Sequence, residues 1–428
     1  MIRQIRSIDS FARNIIIVFL GSSLINFCNL LYQLLIAHSF NPGDFAAFTS
    51  LLSVFMVITA PLGTLQTAVA KYTAEFNAHN QTKKIKVFLS GFLKKAAVLA
   101  LLSLVIFYFF TFYIMDKLKI HSAASGYILA MLVASSCVTP VLLGGMQGLE
   151  LFRWLTCVSI VSGATKLLLA FLFILMGLRI SGALGAFLAA NIMLIIVCYF
   201  PLKNFLTLDN EGEDINFREV LLYLLPVAIS IFCFMALISL DMVLVKYFFN
   251  LEDSGVYSLA QMLGKIFLFL PAAISVVMFP KTSGLSAKNL DTVSTLKRSL
   301  VYAGVLCVLA CLGYNLFPSL TLKILTGKAL PESILLGRLF SISMSFFALN
   351  FILINYFLSV KDLRFIKYLV SSTFLQVLAI ALFHGSLIQV QLILCINAAL
   401  LFLIHLFLSS KRAGLSGKGI ILEDSFKL

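Results

Sequence analysis

Long apolar runs alternate with short polar breaks along this chain, and the runs have the length that a bilayer demands. A helix needs about 20 largely apolar residues to cross the hydrocarbon layer. Twelve stretches qualify: 15–37, 45–70, 88–114, 123–148, 153–177, 181–202, 219–247, 255–279, 299–320, 333–358, 365–385 and 389–408. The predicted class is therefore all-α integral membrane. The longest hydrophilic break after the basic loop 71–87 runs from Lys203 to Arg218, contains Asp209, Glu211, Glu213 and Asp214, and falls between the sixth and seventh spans. It divides the chain into residues 1–208 and 209–428, each predicted as a six-helix bundle. An even number of helices gives both halves the same orientation, which is the condition for a pseudo-two-fold axis along the membrane normal.

A weak repeat supports the division. Phe40, Asn41 and Asp44 align with Phe249, Asn250 and Asp253 at an offset of 209 residues, and one inserted residue later Pro61 falls on Pro271 and Lys71 on Lys281. A helix, an acidic turn, a proline-broken helix and a terminal lysine thus occur twice, as a duplicated membrane half would leave them.

Composition agrees with the pattern. The chain is 61% hydrophobic and only 12% charged, with a mean hydropathy of +1.04, more apolar surface than a soluble domain can bury. A net charge of +14 would suggest nucleic acid in a soluble protein. Here the basic residues sit between spans on alternate sides, so no nucleic-acid partner is expected. Arg3, Arg6 and Arg13, Lys83, Lys84, Lys86, Lys94 and Lys95, Lys281, Lys288, Lys297 and Arg298 all collect on one side. By the positive-inside rule that side, with both termini, is cytoplasmic. The lysine cluster from Lys83 to Lys95 is placed to meet anionic headgroups, making membrane lipids a partner. Eight cysteines lie within apolar spans without metal-ligand spacing and read as small buried hydrophobes. No metal site is expected.

The residues that carry chemistry are the polar ones at bilayer depth. A charge at the centre of a membrane helix costs about 2.5–3.5 kcal/mol on insertion scales, so such groups face a protein interior or a wet cavity. Lys166 and Lys265 lie near the middle of their spans. Ammonium groups there suit phosphate oxygens as point charges. The alternative is a structural pairing with a carboxylate or helix carbonyls. Asp241, in the outer third of the seventh span, is placed to pair with Lys265 in one state or to bind a coupling cation, the alternative being an interfacial acid. At the 209-residue offset its counterpart is Tyr32. Asn26, Asn29 and Gln33 share one face of the first span, where amides bind sugar hydroxyls or join neighbouring helices. Gln261, Asn350 and Asn355 are weighed the same way. Pro61 and Pro271 break their helices at matching positions, freeing carbonyls that flex or line a cavity.

From Gly144 to Asn191 the chain reads GGMQGLELFRWLTCVSIVSGATKLLLAFLFILMGLRISGALGAFLAAN, and from Ser239 it reads SLDMVLVKYFFNLEDSGVYSLAQML, followed by an FPK helix end. With the span count and the half-repeat, these stretches resemble the oligosaccharide flippases, the Wzx-type or polysaccharide transporter branch of the MOP superfamily, which also includes MATE drug exporters and lipid II flippases. The resemblance implies a MATE-like V-shaped pair of six-helix bundles alternating between inward-open and outward-open states. The family's seventh-helix acid, small-residue turn and tyrosine would fall on Asp241, Gly255 and Tyr257. The chain lacks the two additional C-terminal helices of lipid II flippases and the first-helix acid of many bacterial MATE exporters.

The function expected is therefore a flippase of the cytoplasmic (inner) membrane that moves an undecaprenyl-pyrophosphate-linked oligosaccharide for cell-surface polysaccharide such as lipopolysaccharide, with the assembly machinery as a further partner. No cofactor is expected, and the coupling ion would be H+ or Na+. A cation-coupled multidrug antiporter of the same fold is the first alternative, and it calls for a net acidic cavity. A membrane-embedded polymerase is the second, and it calls for a large loop bearing acids or arginines. The absence of HExxH, DxD, GxSxG and phosphate-cradling glycine loops speaks against an enzyme.

Overall fold

The computed structural model describes residues 21, 23–206, 217–269, 271–288 and 290–416. The basic N-terminal stretch with Arg3, Arg6 and Arg13, and the acidic connection from Asp209 to Asp214, lie outside that range. The chain is all-helical over what is described. α1 covers residues 23–39, followed by α2 (Pro42–Thr59), α3 (Leu62–Ala78), α4 (Thr82–Lys117), α5 (Ala123–Gly148), α6 (Phe152–Leu175) and α7 (Arg179–Leu202). Then come α8 (Phe217–Leu237), α9 (Leu240–Phe248), α10 (Leu251–Phe269), α11 (Ala272–Ala287), α12 (Val293–Leu316), α13 (Pro318–Thr326), α14 (Pro331–Ser359), α15 (Phe365–Leu382) and α16 (Leu387–Ser416). Helices dominate because lipid offers no partner for backbone amides, which must bond within their own segment.

Among the described residues nine segments are long and apolar enough to cross a membrane, and ten if α8 and α9, bent by 41°, form one span. The other two predicted spans are α1, whose predicted start lies outside the described residues, and the α10–α11 pair, which breaks at Pro271. α13 is a helix that the hydropathy pattern merges into its neighbour.

Helix ends follow a rule that composition does not announce. α3, α4, α5 and α14 each end in a left-handed residue that is not glycine, namely Asn80, Lys119, Glu150 and Lys361, with φ of 55°, 54°, 57° and 56°. In each case the next N–H reaches back five residues, as Gln81 to the Phe76 carbonyl at 2.9 Å and Asp362 to Phe357 at 2.9 Å. That closes the orphan carbonyls of the last turn in a Schellman motif.

The half-repeat has a structural counterpart. Asn41 Oδ1 accepts from the Asp44 N–H at 2.7 Å at the start of α2, and Asn250 Oδ1 accepts from the Asp253 N–H at 2.8 Å at the start of α10. Both asparagines satisfy an orphan donor of the first turn. Pro61 then occupies the N-cap of α3 and Pro271 that of α11, each where its missing N–H costs nothing.

The chain separates into two compact units, one of residues 1–40 and 58–228, the other of residues 41–57 and 229–428. In the first, α5 packs against α3 through Gly144 and Gly148: a Cβ on either would come within 2.6 Å of a backbone oxygen, of Gln66 and Ala70 respectively. Small residues four apart are what allow membrane helices to approach this closely. Tyr72, Phe76 and Phe92 pack around Phe88 beside this contact, with ring centroids 4.8–5.8 Å from its own. α4 turns a continuous apolar face outward, with Leu101, Phe109 and Phe112 exposed, below which Lys94 and Lys95 are also exposed. In the second unit the core gathers on α10 and α14, where Tyr257, Phe340, Phe347 and Ile352 are fully buried. All eight cysteines are free.

Candidate functional site

Each unit holds one mid-span lysine, and the two lysines are supported differently. In the second unit the break between α8 and α9 sets the geometry. Its freed carbonyls are taken up by α15: Gln376 Nε2 donates to the Leu237 carbonyl at 2.7 Å and Thr373 Oγ1 to that of Cys233 at 3.3 Å. The new helix start places Asp241 in the first turn of α9, where the helix dipole favours an anion. Asp241 is 0% exposed. It accepts the Tyr257 hydroxyl at 2.9 Å and the Gln261 amide at 3.0 Å on both oxygens. Tyr257 and Gln261 are four apart on α10 and so face the same way. The network continues as Tyr257 donates more weakly to Gln391 Oε1 at 3.5 Å, and the Gln391 amide donates to Ser343 at 2.7 Å.

Lys265, one turn beyond Gln261, is half-buried and lies within electrostatic reach of Asp241. It makes no ion pair or hydrogen bond with any described residue. Asp241 thus biases the potential at Lys265 while its own oxygens are occupied by neutral donors.

In the first unit Lys166 projects from α6 towards α1 and α7. Its ammonium donates to Asn29 Oδ1 and lies 4.8 Å from the ring centres of both Tyr32 and Phe187. Tyr32, 2% exposed, is fixed by its hydroxyl donating to the Ala183 carbonyl at 2.9 Å. Asn29 and Tyr32 are three apart on α1, and Ala183 and Phe187 four apart on α7, so one turn of each helix supplies the whole setting.

The structure therefore brings Lys166 together with Asn29 and Tyr32, and Lys265 together with Asp241, Tyr257 and Gln261. Asn26 is exposed and Gln33 half-buried, and neither joins the Lys166 cluster. Asn355 donates to the Phe351 carbonyl of its own helix at 2.8 Å. Asn350 is fully buried, donating to the Ala398 carbonyl at 3.0 Å and sitting 3.0 Å from His405 Nδ1. Sequence reasoning missed Gln391, Ser343 and Phe187. Gln391 carried a signal, since a lone amide in an apolar span needs partners. Phe187 carried none, being one of forty phenylalanines.

Several solved structures share this fold. An inward-facing multidrug resistance MATE family transporter of the MOP superfamily aligns with a TM-score of 0.79 at 13% identity, over 92% of this chain and 96% of that one. The lipid II flippase MurJ in an inward closed conformation aligns at 0.68 and 15%, over 92% and 87%. A MOP superfamily transporter from Pyrococcus furiosus, described as having a binding pocket of reversed polarity, aligns at 0.59 and 15%, over 94% and 95%. By sequence the chain is 25% identical over 233 residues to the uncharacterized membrane protein MJ1375 of Methanocaldococcus jannaschii, a match spanning 51% of this chain and about half, 55%, of that protein. Residues 11–286 match the family described as Polysaccharide biosynthesis protein. Taken with the helical architecture, that match over well more than half of the chain makes it a member of the Polysaccharide biosynthesis protein family.

Proposed function

We propose that this protein is a flippase for a lipid-linked oligosaccharide whose anionic pyrophosphate is drawn to the deep lysine of each unit, Lys166 in one and Lys265 in the other. The observation that carries the reading is the pair of ammonium groups at bilayer depth, neither in contact with a carboxylate among the described residues. A buried charge without a direct counter-charge is costly unless a ligand supplies one, and a pyrophosphate supplies it. The half-buried amide of Asn29 beside Lys166 suits sugar hydroxyls, whereas Tyr257 and Gln261 are buried and their donors are spent on Asp241. Exporters of cationic drugs call for the opposite balance. Here the acid beside Lys265 is Asp241, and its oxygens are already held by Tyr257 and Gln261.

On this reading the protein belongs to the cytoplasmic membrane, with both termini inside, and works beside the enzymes that assemble a surface polysaccharide. Asp241 is the coupling group: taking up H+ would release Tyr257 towards Gln391, whereas Na+ would have to displace both donors. The test is Lys265→Ala in cells that depend on the surface glycan. Export of the lipid-linked glycan is lost while the protein stays in the membrane at normal abundance. Undiminished surface glycan removes Lys265 from the mechanism.

A further inference from the structure

The two lysines pose one physical problem, how to hold an ammonium at bilayer depth, and the units solve it differently. At the 209-residue offset of the half-repeat, the position occupied by Asp241 in the second unit is occupied by Tyr32 in the first. Asp241 acts on Lys265 as a negative charge. Tyr32 acts on Lys166 as a ring face at 4.8 Å, and Phe187 presents a second ring at the same distance. Both lie inside the roughly 6 Å range over which an aromatic quadrupole attracts a cation.

We propose that Tyr32 and Phe187 form an aromatic clamp that holds the Lys166 ammonium charged and in place without cancelling its charge. A carboxylate in the same position would also hold the ammonium, but as a neutral pair with little attraction left for an incoming anion. Ring faces stabilise the cation and carry no net charge, so the full positive charge remains for an anionic ligand. The clamp is built, not incidental. Tyr32 cannot swing away without breaking its bond to the Ala183 carbonyl. That carbonyl lies one turn before Phe187 on α7, so a single helix face sets both rings. Asn29 fixes the ammonium from the third side through one N–H. Phe187 and Tyr32 are thereby positioning residues, acting on cargo through Lys166. The use of that charge for cargo rests on the flippase reading, but the clamp itself does not.

The experiment separates ring electrostatics from ring shape. Phenylalanine at position 187 is replaced in the full-length protein by its mono-, di- and trifluoro analogues, which weaken the quadrupole with little change in size. The protein is reconstituted in phosphatidylcholine vesicles, and acetylation of Lys166 by a small membrane-permeant acylating reagent is followed by peptide mass spectrometry. Only the uncharged amine reacts, so the rate reports how well the charged form is held. The expected result is a stepwise rise with fluorination, reaching about threefold or more in the trifluoro protein, in line with partial loss of one cation–π contact. Phe187→Trp keeps the slow wild-type rate. A flat series, or equal rates for Phe187→Trp and Phe187→Leu, overturns the clamp. Because no cargo is present, the result stands or falls independently of whether Lys265→Ala stops glycan export.

Discussion

The sharpest energetic consequence concerns Asp241. Its carboxylate joins α9 to α10 through Tyr257 and Gln261, beside a longer contact from Ser254 Oγ to the Val245 carbonyl at 3.5 Å. Hydrogen bonds between membrane helices average about 0.6 kcal/mol and reach about 1.7, and those to charged groups run to about 1.5–3. Tyr257→Phe removes one donor and leaves Gln261 in place, so its cost is about 1 kcal/mol. Asp241→Leu strands both the tyrosine hydroxyl and the glutamine amide. The hydroxyl recovers part of its loss by turning to Gln391 Oε1, now 3.5 Å away, leaving a net cost of about 2–4 kcal/mol. A double-mutant cycle isolates the contact. The coupling between Asp241 and Tyr257 should be about 1–2 kcal/mol, while that between Asp241 and Arg364, which share no partner, stays below about 0.5. Equilibrium unfolding of the purified protein in mixed micelles supplies all four corners of each cycle. Equal couplings, or none at the first pair, would mean that Asp241 is not held as described and that the tyrosine is no part of its setting.

Gly144→Leu should cost about 1–3 kcal/mol through overpacking, since the added carbon meets the Gln66 backbone oxygen at 2.6 Å and the backbone cannot yield; Gly304→Ala, with nothing within 4 Å, serves as the neutral control in the same melts. Asp291 precedes α12 and accepts the Val293 N–H at 2.8 Å, which holds its carboxyl below the ordinary carboxylate range. Its folded value is depressed, so its contribution is present above the unfolded value and lost as pH falls through the folded one. The protection of the Val293 and Ser294 amides, measured against their intrinsic exchange rates at each pH, should fall on acidification through that window, and Asp291→Ala should abolish that fall. Arg364 grips Asp362 with two nitrogens, at 2.9 and 2.6 Å. Lysine cannot reproduce that fork, so Arg364→Lys should lose about 0.5–1 kcal/mol, discounted for its solvent exposure, and an unchanged melting curve would count against the pair.

How far the sequence could be read depended on what kind of force was at work. Hydrophobic length located the helices because lipid imposes it on every span, and Pro61 and Pro271 marked breaks because the missing proline N–H acts locally, whereas Asn41 and Asn250 showed only as a repeated residue and their capping came from the structure. Helix ends were less legible: Asn80, Lys119, Glu150 and Lys361 adopt left-handed backbone without being glycine, held by bonds to carbonyls five residues back. Lys166, Lys265 and Asp241 stood out because charge at depth is rare. Their surroundings did not, since which ring or amide faces a lysine depends on helix rotation. Phe187 is the plain case, an apolar residue whose use lies in its π face and not in its area. α13 was hidden for a different reason. Its leucines continue the apolar run of α12, and only the turn at Phe317 and Pro318 separates the two.

α4 carries one more implication. Between Lys95 and Asp116 its sequence holds no charged side chain, and at 1.5 Å of rise per residue that interval measures about 30 Å. This equals the hydrocarbon thickness of an ordinary bilayer, so α4 works as a gauge rod that fixes the depth at which the protein floats. In a markedly thinner or thicker membrane the rod would have to lean, or the lipid around it pucker.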